Sequence, residues 1–118
     1  MRIQFTTFVS AVSRATDFVE AELLNIPDYH EKRVAIMANH IGRQMGMGQE
    51  TLYALTLAGA LHDCALHEYL KDEYPEEGYA VAEIDMASHC IAGENVLKQF
   101  PFYEKVEGAV LHHHDRAD

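Results

Sequence analysis

Apolar positions recur at steps of three and four residues along most of the chain. In FTTFVSAVSRATDFVEAELL, Phe5, Phe8, Val9, Val12, Ala15, Val19 and Leu23 mark one face, which predicts an amphipathic helix within residues 1–25. NIPDYH then interrupts: Pro27 bars continuation, and Asp28 is placed to cap a second helix starting near Tyr29. That helix, YHEKRVAIMANHIGRQM, carries Val34, Met37, Ala38, Ile41 and Met45 on its predicted core side and stops at the glycines of GMG. QETLYALTLAGALHDCALHEYL is rich in helix formers with a continuous apolar middle. It predicts the most buried helix, with His62 and Asp63 near its far end.

KDEYPEEGY, with Pro75 and Gly78, is a charged break and predicts an exposed loop. Helical spacing resumes in AEIDMASHCIAGENVLKQF through Ile91, Val96, Leu97 and Phe100, with Asp85 or Ser88 as candidate caps. Pro101 then opens a predicted last helix, PFYEKVEGAVLHHH, at a position where proline is tolerated. No strand-like alternation, hairpin turn or internal repeat interrupts the pattern. The expected fold class is all-α, a compact bundle of about five helices in one domain.

Composition narrows the partners. The 118 residues are 48% hydrophobic, enough for one folded core, and carry a formal charge of −10. Such a surface repels nucleic-acid polymers and anionic membranes, so an anionic substrate requires a cation to bring it in. Bound divalent metal supplies that charge. Cys64 and Cys90 form neither a CxxC pair nor a disulfide frame, and no run is long and apolar enough for a membrane span, so a cytoplasmic protein is expected. Each cysteine follows a candidate ligand, but adjacent helical residues diverge, and both read as small buried hydrophobes.

The candidate chemistry lies in the histidines, of which there are eight. His30 opens the second helix, His62 with Asp63 ends the third, His89 opens the fourth, and His113 with His114 close the last. A lone histidine at a helix end ordinarily complements the dipole or faces solvent. Helix ends in a bundle can gather at one place, however, and imidazoles with carboxylates suit Zn, Fe, Mn or Ni. Asp63 resists the ordinary account: an acid after LTLAGAL, near a helix C-terminus, faces an unfavourable dipole unless a cation offsets it. His40 and His67 read as surface or packing residues. The closing HHHDRAD is interrupted by acids and arginine, unlike an affinity tag, which leaves a solvated polar tail or half of a metal site.

The ordered set His, His-Asp, His, His-His resembles the HD-domain superfamily of metal-dependent phosphohydrolases, and within it the HD-GYP branch. HEKRVAIMANHIGRQMGM is similar to the opening helix of that branch, LAGALHDCAL to its HD helix, HCIAGENVLKQFPF to the segment bearing its next histidine, and LHHHDRAD to its histidine pair. The similarity covers residues 25–118. It implies one to three divalent ions held by His30, His62, Asp63, His89, His113 and His114, with Asp63 as the catalytic bridge between ions. It also implies hydrolysis of a cyclic dinucleotide, cyclic di-GMP, or another phosphate ester.

Two departures follow. Where the branch often has HDIGK, with a phosphate-contacting lysine, this chain has HDCAL, with Leu66 at the lysine position. The chain also ends at Asp118, before the GYP element and a further aspartate ligand. The expectation is therefore the N-terminal two thirds of a longer domain, residues 26–118 being HD core, with impaired hydrolysis. The alternative is a catalytically degenerate HD module that binds metal or nucleotide and serves signalling or dimerisation. The apolar stripe of the first helix leads us to expect a homodimer.

Overall fold

The computed structural model describes residues 4–27, 29–66 and 86–117, and these contain four α-helices and no strand. They are α1 (Phe5–Leu24), α2 (His30–Gln44), α3 (Gln49–Leu61) and α4 (Met86–Leu97), followed by a 3₁₀ turn at Tyr103–Lys105. The all-α class is as expected. The 67–85 segment and Asp28 lie outside the described residues, and with them the predicted loop, His67, and the caps assigned to Asp28 and Asp85. Ser88 lies inside α4 rather than at its cap.

An apolar core joins α1, α3, α4 and the C-terminal segment. Ala54, Leu57, Ala58 and Leu61 of α3 pack with Val9, Leu97, Val106 and Val110, and Phe5 of α1 adds ring contacts with Phe100 and Phe102 at 5.3 and 5.9 Å. The prediction that α3 is deeply buried holds, but the helix ends at Leu61 instead of running past the His-Asp pair. His62 is its C-cap. The next residues turn through hydrogen bonds from Cys64 N to Leu61 O and from Leu66 N to Asp63 O.

α1 and α2 depart from their apolar stripes. The buried side of α1 is Val9, Ser13, Asp17, Glu20 and Leu24, about a quarter turn round the helix from the predicted face, and Phe8 and Ala15 are exposed. In α2 the buried residues are Glu31, Ala35 and Gly42, while Met37, Ile41 and Met45, expected inside, are exposed. The reason is steric. A Cβ on Gly59 of α3 would lie 3.0 Å from Ala35 Cα, so the two helices meet through their smallest residues and exclude the bulky stripe from the contact.

The predicted last helix does not form. After the 3₁₀ turn the chain runs in successive turns to His114. Gly108 takes a φ of +83°, outside helical space. The Glu94 carboxylate of α4 accepts hydrogen bonds from Tyr103 Oη (2.8 Å) and from Gly108 N (2.6 Å) and Leu111 N (2.9 Å), the last two being backbone donors that a helix would use internally. Burial opposes charge on Glu94, yet these donors outweigh it and hold its pKa below the ordinary range. α4 approaches this segment closely at Gly93, where a Cβ would stand 2.9 Å from Val110 Cγ1. Glu94 and Gly93 together set the position from which His113 and His114 project.

Candidate metal centre

Asp63 lies at the centre of the histidines. Its Oδ1 is 3.1 Å from His89 Nε2 and 3.1 Å from His113 Nε2, while Oδ2 is 3.2 Å from His62 Nε2 and 3.8 Å from His30 Nε2. His114 Nε2 is 3.2 Å from His89 Nε2. All six residues singled out in the sequence are thus brought together, although they come from two helices, the turn after α3 and the C-terminal segment. His112, the first of the final triplet, is exposed and pairs with Asp115 at 2.7 Å. His40, read as a surface or packing residue, is exposed.

Two tautomers are set by carbonyl partners. His62 Nδ1 lies 2.8 Å from Gly59 O and His113 Nδ1 lies 2.6 Å from Val110 O. A carbonyl oxygen only accepts, so Nδ1 donates in both rings and Nε2 is directed to the centre. The Nε2 atoms of His62 and His30 are 3.3 Å apart, and those of His89 and His113 are 3.4 Å apart. Lone pairs facing each other at this distance repel unless a proton or a cation lies between them. Two nitrogens on one tetrahedral ion, each at about 2.1 Å, stand roughly 3.4 Å apart, so the donor set fits a metal ion.

Without metal, protons take up part of this role. Burial alone would lower the pKa of His62, but the adjacent Asp63 and Glu31 carboxylates raise it to about 11. Burial would raise that of Asp63, but hydrogen bonds from His113, His62 and His89 hold it far below the usual carboxylate range. Burial and the charge of His62 lower His30, and burial with His113 and His89 lowers His114. These two imidazoles are therefore neutral near pH 7 and ready to ligate.

Donors overlooked in the sequence also reach the centre. Glu31, fully buried, accepts the Asp63 N–H through Oε1 at 3.2 Å and places Oε2 3.2 Å from His62 Nδ1. Asp17 Oδ1 accepts the Glu31 N–H at 2.7 Å, capping α2 from α1. Cys90 is buried, as expected of a small hydrophobe. Its Sγ nevertheless stands 3.5 Å from His113 Nδ1 and 3.9 Å from His89 Nε2, close enough to join His89, His113 and His114 around an ion. Burial, followed by the charges of Asp63 and Asp115, raises the Cys90 pKa and favours the thiol. Cys64 is half-buried against the apolar core.

A cleft of about 330 Å³ opens over the histidines. His30, His62, His113 and His114 line its floor side by side with apolar Val34, Ala38, Leu55 and Val110. Among the described residues, no helix is long and apolar enough to cross a membrane. Residues 28–118 match the family model described as HD domain. No curated protein and no solved structure matches the chain.

Proposed function

The chain belongs to the HD-domain family of metal-dependent phosphohydrolases, and from that premise we propose that it is a phosphodiesterase of the HD-GYP type acting on a cyclic dinucleotide such as cyclic di-GMP. The observation that carries this reading is the arrangement of imidazole Nε2 atoms on both sides of the Asp63 carboxylate. We assign His30 and His62 to one ion and His89, His113 and His114 to another, bridged by Asp63. Bound there, divalent ions would supply an activated water and positive charge at the phosphoryl oxygens. The donor set suits Fe, Mn, Zn or Ni.

The chain itself contributes orientation and shape. Gly59 O and Val110 O hold the His62 and His113 rings with Nε2 inward, and Glu31 fixes the backbone of Asp63 from beneath. The apolar wall of the cleft gives the organic part of a phosphate ester a dry surface while its phosphate faces the ligands. With Leu66 buried against Leu24 instead of supplying a cation, phosphate charge must be met by metal alone, and slow turnover is expected.

The same burial of Leu66 supports a second reading, a non-catalytic module that binds metal and nucleotide. Self-association fits both readings: Met37, Ile41 and Met45, 55–68% exposed, lie at steps of four along α2 and its C-cap and offer an apolar face to a second copy. Incubation of Mn-loaded protein with cyclic di-GMP, followed by chromatography, tests the proposal. The expected product is the linear dinucleotide. Hydrolysis of other phosphate esters with the cyclic dinucleotide untouched would overturn the substrate assignment, and tight nucleotide binding with no turnover would select the second reading.

A further inference from the structure

Beneath the histidines lies a pocket of carboxylates in which the phosphodiesterase reading uses Asp63 and the Asp63-facing oxygen of Glu31 but leaves Glu20 without a role. Glu20 of α1, Glu31 of α2 and Asp63 each present an oxygen within 4.8 Å of the others, and all three residues are buried. Oxygen ligands about one ion of Mg²⁺ to Ca²⁺ size, at roughly 2.0–2.6 Å, fall within about this span of one another. Glu20 is the decisive member. It is 0% exposed, and neither of its carboxylate oxygens accepts a hydrogen bond. Glu31 Oε2 faces His62 Nδ1 at 3.2 Å but accepts no hydrogen bond from it, because the Nδ1 proton is directed at Gly59 O.

A buried carboxylate with two unsatisfied oxygens is costly, and two more carboxylates within ligand distance raise that cost. Either a proton or a cation relieves it. In the metal-free protein a proton does so: burial, then Asp63 and Glu31, push Glu20 up to about 9. An ion is the more complete solution, because one cation satisfies orphaned oxygens on Glu20 and Glu31 together. Asp63 can serve both centres, since a carboxylate offers about four lone-pair positions over its two oxygens.

We propose that Glu20, Glu31 and Asp63 form an additional cation site for a hard divalent ion of the Mn²⁺ or Mg²⁺ class, adjoining the histidine centre through Asp63. The chemistry separates the two: all-oxygen ligands select hard ions, while imidazoles favour Zn or Ni. Glu20 lies outside residues 28–118, so this site joins α1 to the matched region. A resident ion would fasten α1 to α2 and to the turn after α3.

The site is tested by loading the protein with Zn²⁺, removing the excess, and titrating Mn²⁺ while free Mn²⁺ is followed by electron paramagnetic resonance. One equivalent of Mn²⁺ is expected to bind the wild type, with at least tenfold weaker binding in Glu20→Gln at unchanged Zn content. Equal Mn²⁺ affinity in wild type and variant overturns the proposal, as does a wild type that binds no Mn²⁺. A protein retaining no Zn²⁺ would instead contradict the histidine centre, whatever Mn²⁺ does. Should Glu20→Gln not fold, the wild type decides alone: pulsed resonance of its bound Mn²⁺ should show no directly coordinated ¹⁴N, and ¹⁴N coupling would place the ion among the imidazoles and overturn the site.

Discussion

The molecule has two interiors of opposite character. One is apolar, with Leu57 and Leu61 of α3 packed against Val9, Leu97 and Val110. The other is polar, where Ser13, Asp17, Glu20 and Glu31 are buried around His62, Asp63 and His89. The first gains stability from area removed from water. The second carries orphaned oxygens on Ser13, Asp17, Glu20 and Glu31 and costs stability until something charged enters. α1 serves both through Val9 and the acids Asp17 and Glu20, and α3 carries apolar residues up to Leu61 with His62 and Asp63 directly beyond its end. The difference teaches that the fold is braced on one side so that the other can hold like charges together.

The largest effect should come from the centre of the polar interior. Asp63→Asn removes half the charge-bridging capacity between the imidazoles, and if the ions supply several kcal/mol to the transition state, turnover should fall by about 10³-fold. Metal analysis of the purified variant should show ions lost from both sides of residue 63. Retention of the full complement would show that the two histidine groups are independent.

On the apolar side, Leu97→Ala should destabilise by about 2–5 kcal/mol, because Leu97 is 0% exposed and its removal leaves a cavity. Denaturant unfolding measures this. Metal bound per folded molecule should not change; a parallel loss of metal would mean that the two interiors are not separable.

Glu31→Gln should have the reverse profile. Supporting groups around metal ligands contribute about 10–100-fold in affinity, and Glu31 touches both Asp63 N and the His62 ring edge. Metal affinity, measured by competition with a chelator, should fall by that factor. Metal-free stability should hold or rise, since a neutral amide replaces a carboxyl whose burial raises its pKa to about 7. A metal-free variant as destabilised as Leu97→Ala would contradict the distinction.

The smallest effect is the pH dependence of the metal-free protein. Glu20 is raised to about 9 and His62 to about 11, so the folded state binds more protons than the unfolded state across neutral pH. Stability must then fall as pH rises: the Glu20 contribution is whole below about 4.5 and is lost through about 9, while that of His62 is whole below about 6.5 and is lost through about 11. Thermal melts in chelator between pH 7 and 9 should show a declining midpoint. Metal should flatten the slope by replacing those protons, and a midpoint that rises with pH in chelator would refute the assignment.

The six central residues could be singled out because histidines near predicted helix ends, in this order and with the acid after His62, resemble the HD-domain pattern. The acids beneath them were not. Glu20 sits among Val19, Ala21 and Leu23 and reads as a solvent-facing residue of an amphipathic helix, and Glu31 in the first turn of α2 reads as a dipole complement. A faint signal existed: the small residues Ala35, Gly42 and Gly59 mark the true contact between α2 and α3, and that contact rotates Glu31 inward. The last segment looked helical because its spacing is helical. What breaks it is Glu94, a long-range partner of Gly108 and Leu111 that no local pattern reveals.

The central claim, that Asp63 bridges ions held by two groups of imidazoles, is tested most directly by anomalous diffraction from crystals of metal-loaded protein, collected on both sides of the metal's absorption edge. The account predicts one peak within bonding distance of His30, His62 and Asp63, and a second among His89, His113, His114 and the other Asp63 oxygen. Anomalous density absent from both positions in protein that retains metal by elemental analysis would contradict it.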